Sequence, residues 1–106
     1  MIELRPVGGD SAAAVWRWRV WDHLIQHFDS SKHNFGAVSD HPELIDLNFP
    51  DGTMQEDWLH FNSVAYNPDF DQVMVSCHHT GEIWIIDHGT KKIGRASCRE
   101  RVYVLV

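Results

Sequence analysis

The most regular alternation of apolar and polar positions lies between Asp57 and Thr90. Trp58–Tyr66, Asp71–Cys77 and Glu82–Asp87 each hold a short apolar run or alternation, bounded by Asn67-Pro68-Asp69, His79-Thr80-Gly81 and His88-Gly89-Thr90. A period of two sends successive side chains to opposite faces of a strand, and Gly, Pro, Asn and Asp close tight turns. Three short strands joined in this way predict an antiparallel meander. Near the start, Met1–Pro6 reads as a strand ended by proline and Gly8-Gly9-Asp10 as a turn. Ala14–Val20 reads as a second strand in which Trp16 and Trp18 alternate with Arg17 and Arg19, so the two form a hairpin with its tryptophans on one face.

The stretch between hairpin and meander has a different period. Asp22 can cap a helix whose face holds Leu24, Ile25 and Phe28. Asp40-His41-Pro42-Glu43 has a capping-box carboxylate and a first-turn proline, which predicts a second short helix with Leu44, Ile45 and Leu47 as its apolar contacts. Ser30–Ser39 and Asn48–Glu56 read as loop. A three-stranded meander has two faces to bury and needs a fourth strand and neighbouring sheets, as in a propeller. The expected fold is therefore all-β: a fragment of a β-propeller, about one and a half blades of antiparallel meander, with a short helical insertion. Residues 1–20 are expected to be the last strands of one blade, 21–56 the helical and loop insertion, and 57–91 the first three strands of the next blade.

After Lys91 the pattern stops. The string from Lys92 to Val102 resembles the translation of a common sequencing adapter, so residues 92–106 are expected to be a non-native tail and are set aside in reading the fold. Without them five basic and fourteen acidic side chains remain, a net charge of −9 against −6 for the whole chain. Such a balance lacks the basic footprint that nucleic acid requires. No apolar run approaches the length of a membrane span, and no charged, apolar leader opens the chain. Cys98 falls in the tail, which leaves Cys77 alone and predicts no disulfide.

Candidate chemistry gathers at one end of the meander. His60 lies near the start of the first strand and Ser76-Cys77-His78-His79 at the end of the second, so antiparallel pairing brings His60 close to His78 or His79. Strict alternation places His60, Asn62, Val64 and Tyr66 on one face, with Phe61, Ser63 and Ala65 on the other. Converging histidines suit a polar ligand, acid/base work or a metal, although a single strand histidine is more often a hydrogen-bonded structural residue. No carboxylate or thiolate set stands at a recognised ligand spacing, so no metal and no cofactor is expected. His23, His27, His33 and His41 are expected at the surface or in caps. Trp16, Trp18 and Trp84 are expected in the core, and Asp57, Asp69 and Asp71 are read as turn caps.

The run Asp57-Trp58-Leu59-His60-Phe61-Asn62-Ser63-Val64-Ala65-Tyr66 resembles the Asp-Trp-x-His-x-Asn-Ser-aliphatic-x-Tyr motif of bacterial arylsulfotransferases. Asp71–Ser76, Glu82–Asp87 and the upstream Val15–Trp18 and Trp21–His23 fit the same family, so the resemblance covers most of residues 2–90. It implies a six-bladed propeller exported to the periplasm. It also implies sulfuryl transfer from a phenolic sulfate ester to another phenol, without a nucleotide donor, through a transiently sulfated histidine. By that resemblance His60 is an active-site acid, base or hydrogen-bond donor and not the sulfated residue, which would lie further along the chain than Lys91. Asn62, His78 and His79 are its expected substrate-binding partners. His78 stands where the family often carries arginine. Arginine is a permanent bidentate clamp for sulfate, whereas histidine is a cation only when protonated. That departure keeps a non-catalytic, ligand- or partner-binding propeller as the rival reading. A metal-dependent hydrolase using His60, His78 and His79 is a third.

Overall fold

The computed structural model describes residues 1–49 and 56–97, the last three as backbone. Eight strands are described: β1 (Ile2–Val7), β2 (Ser11–Arg17), β3 (Leu24–Ile25), β4 (Ile45–Asp46), β5 (Phe61–Asn67), β6 (Gln72–Cys77), β7 (Glu82–Asp87) and β8 (Ile93–Ser97). They form an antiparallel hairpin β1-β2, a short parallel pair β3-β4, and an antiparallel meander β5-β6-β7-β8. No helix among the described residues is long and apolar enough to cross a membrane.

The meander closes with a strand from the segment set aside in the sequence. β8 begins two residues after Lys91 and pairs Ile93 with Ile86 and Arg95 with Trp84. Backbone pairing is tolerant of side-chain identity, and the buried Ile93 fits the period of two. One face of the meander carries Val73, Val75, Cys77, Trp84, Ile86 and Ile93, and it forms the core together with Trp18, Leu24 and Ile45. The opposite face carries Ala65, Met74, Ile83 and Ile85, and Met74 is 45% exposed.

The hairpin docks on the core face through its tryptophans. Arg17 and Arg19 face solvent while Trp18 is buried against Trp84, with ring centroids 6.4 Å apart. Buried indole N–H groups require acceptors. Trp18 Nε1 donates to the Lys91 carbonyl at 3.0 Å and Trp16 Nε1 to the His88 carbonyl at 2.8 Å. The second strand starts and ends three residues earlier than its alternation suggests, because Arg19 already leads into the next turn.

Neither expected helix forms. Val20–His23 and Val38–Asp40 are single 3-10 turns, and the rest of the insertion is loop around β3 and β4. Gln26 explains the first difference. Its amide is buried and donates to the Asp29 carbonyl and Asn34 Oδ1, while its Oε1 accepts the N–H groups of Phe28 and Asp29. The side chain thus satisfies backbone that a helix would have paired with itself. Phe28, assigned to the helical face, is 63% exposed. In the second case Glu43 bonds the His41 ring at 2.9 Å instead of reaching back to a cap N–H. Pro50–Gln55, most of the second expected loop, lies outside the described residues.

A further correction concerns facing along β5. The register runs Phe61↔Cys77 and then Ser63↔Ser76, so Asn62 is an unpaired bulge residue. An extra residue reverses the alternation beyond it. Phe61 therefore shares the core-side face with Val64 and Tyr66, and its ring meets Trp84 edge-on at 5.2 Å. Trp58, Leu59 and His60, expected within this strand, precede it: Trp58 and Leu59 form a bend and His60 links it to the strand.

Candidate functional site

The turn that leads into β5 is held by the end of β6. The Leu59 carbonyl accepts Cys77 Sγ–H at 2.7 Å, and the His60 carbonyl accepts the His78 N–H at 3.0 Å. Trp58 and Leu59 pack against the core, and Trp21 from the insertion meets Trp58 at 6.5 Å. His60 itself sits at φ +35°, a left-handed conformation that residues with a β-carbon rarely adopt. Such strain persists where surrounding contacts enforce it, and it concentrates at functional sites. The bend folds Asp57 back so that its Oδ2 meets His60 Nδ1.

His60 and His78 come together as the antiparallel pairing predicts, with ring centroids 5.1 Å apart and a 57° tilt. Both are exposed. Asn62 is exposed on the adjacent bulge. His79 is half-buried in the next turn and makes no hydrogen bond or ring contact with His60 or His78. Thr80 follows, 3% exposed, and its Oγ1 has no hydrogen-bond partner among the described residues. No three His, Cys, Asp or Glu side chains among the described residues converge to hold a metal ion.

A second polar cluster occupies the other end of the sheet, about 20 Å away along a six-residue strand. His88 stacks on Trp16 at 5.0 Å, bonds Glu3 Oε2 through Nε2 at 2.7 Å, and faces Asp71 Oδ1 through Nδ1 at 3.3 Å. The same Asp71 oxygen accepts the Tyr66 hydroxyl at 2.7 Å, and that bond holds the phenol above its ordinary pKa. Asp71 has φ +50°, and this turn acceptor reaches two side chains, Tyr66 on β5 and His88 just after β7. Sequence reading missed the cluster. Tyr66 and Asp71 stood in the motif-bearing region, but nothing local indicated that Glu3 would meet His88. Between the two ends, hairpin and meander enclose an open groove of about 740 Å³ lined by Ile2, Glu3, Trp16, Val64, Tyr66 and His88 among others.

The family model for arylsulfotransferase (ASST) matches residues 7–95, and the match runs into β8. Comparison with curated proteins gives no match, and neither does comparison with solved structures. The matched span holds the hairpin's second strand, the insertion, the meander and the His60–His78 turn, most of the chain. The chain therefore belongs to the arylsulfotransferase family.

Proposed function

We propose that this chain is part of an aryl sulfotransferase that moves a sulfuryl group from a phenolic sulfate ester to a phenol. In this reading the His60–His78 end of the meander forms part of the active site. The observation that carries it is His60 itself, held in a strained backbone conformation between Asp57 and His78 within the family's matched span. Its ring acts as acid or base at the phenolic oxygen. His78, when protonated, binds the sulfate oxygens beside it, with Asn62 and His79 as further polar contacts. A sulfohistidine outside residues 1–106 splits the transfer into two easier steps. The meander and hairpin are parts of two blades of a propeller, and the parent protein acts in the periplasm.

The rival reading, a non-catalytic propeller that binds a ligand or partner, is favoured by His78 in the place of an arginine. One assay separates them: sulfuryl transfer from a chromogenic aryl sulfate to phenol by the product of the complete gene. Turnover that falls at least about a hundredfold in His60→Ala supports the transferase. His78→Arg should then tighten aryl sulfate binding about tenfold, since a charge-assisted bond contributes about 1.5–3 kcal/mol. Binding without turnover in the wild-type protein supports the rival.

A further inference from the structure

We infer that Asp57 is a positioning residue that fixes the His60 imidazole by its Nδ1 atom and makes Nε2 the atom that exchanges protons with the ligand. Asp57 Oδ2 lies in contact with Nδ1, and an ionised carboxylate only accepts hydrogen bonds. The neutral ring therefore carries its proton on Nδ1 and its lone pair on Nε2, which has no protein partner among the described residues. The usual role of such a pair, stability, is a poor account of this one. The side chains of His60 and Asp57 are 49% and 73% exposed, and ion pairs that open to water stabilise little. Yet the backbone takes a left-handed turn at His60 to make the contact, and two bonds from the end of β6 hold that turn in place. Strain maintained for a pair of small energetic worth points to orientation of the ring.

His78 is the other titratable group against His60 among the described residues, tilted beside it and hydrogen-bonded to its carbonyl. Its position leaves Nδ1 to Asp57. With a phenol at the site, the phenolic O–H bond breaks, an Nε2–H bond forms, and the electron pair remains on the phenolic oxygen. Asp57 then stabilises the imidazolium through Nδ1–H. In the opposite direction Nε2–H returns the proton to a departing phenolate. This consequence rests on the sulfuryl-transfer reading, whereas the tautomer does not.

The test is a long-range ¹H–¹⁵N correlation spectrum of the chain with ¹⁵N-labelled histidine, recorded where the rings are neutral. Wild-type His60 is expected as the Nδ1–H tautomer, and Asp57→Ala as the Nε2–H form that free imidazole side chains favour, with unchanged β-sheet circular dichroism. An Nε2–H tautomer in the wild type overturns the inference without recourse to any variant, as does an unchanged tautomer in a folded Asp57→Ala. In the complete protein Asp57→Ala should lower kcat about ten- to hundredfold with KM little changed. If the wild type turns over no aryl sulfate, the transferase reading falls while the tautomer result stands.

Discussion

Thr80 and His23 are two side chains whose surroundings do not suit their polar groups. Thr80 Oγ1 is buried beside the His60–His78 turn with no partner among the described residues, and a buried hydroxyl in that state costs about 1–3 kcal/mol. Thr80→Val keeps the shape and removes the oxygen. It should raise the thermal midpoint by about 4–8 °C per kcal/mol recovered, as read by calorimetry. His23 stacks on Trp18 at 4.6 Å, and burial lowers its pKa below 6.5 although Asp22 pulls the other way. The folded chain thus binds this proton less readily than the unfolded chain. The sign follows: the contribution is intact above the ordinary histidine pKa and is lost as pH falls below it. Melting curves at about pH 5 and pH 7.5 should differ more for the wild type than for His23→Phe, which keeps the stack and does not titrate. At this scale the sequence disclosed the meeting of His60 and His78, because antiparallel pairing of two adjacent strands is a local rule. It concealed the role of Asp57, since a carboxylate before a strand looks the same whether it caps a turn or holds a ring.

Among the elements, the hairpin depends on two indoles. Trp18 is 1% exposed and donates to Lys91, whereas Trp16 is half-buried and donates to His88. Trp18→Phe loses a bond and leaves a void, and should cost about 2 kcal/mol. Trp16→Phe should cost about half of that, since its ring is already partly wet. Urea unfolding of both variants, with m unchanged, measures the difference. The alternation of Trp with Arg was enough to read this hairpin and its buried face. The insertion was illegible for the opposite reason. Leu24 and Ile25 fit a helical face as well as a buried two-residue strand, and the deciding group is the Gln26 amide, whose four bonds no periodicity records. The bulge at Asn62 escaped likewise, because one extra residue leaves composition unchanged while it moves Phe61 to the other face.

Across the whole molecule, the meander has one covered face and one open face. Trp18, Leu24 and Ile45 cover the first, while Ala65, Met74, Ile83 and Ile85 line the second. A contiguous apolar sheet face of this kind favours association. Met74→Lys places a charge at its centre and should shift the chain toward monomer in sedimentation velocity; an unchanged distribution would show that this face does not drive association. The all-β class was legible from turn spacing. The fourth strand was not, because β8 draws on residues whose sequence looked foreign to the gene, and a sheet edge accepts almost any extended backbone.

The contacts that hold the hairpin join residues far apart in the chain: 72 positions from Trp16 to His88, 73 from Trp18 to Lys91, and 85 from Glu3 to His88. Synthesis proceeds at about 5–20 residues per second, so the tryptophan face of β2 waits roughly 4–15 s before its acceptors are made. During translation β1 and β2 thus emerge well before the residues that hold them in place. Until those residues follow, the docking face that carries Trp16 and Trp18 stays uncovered in the nascent chain, which makes it the place where early chaperone contact is expected.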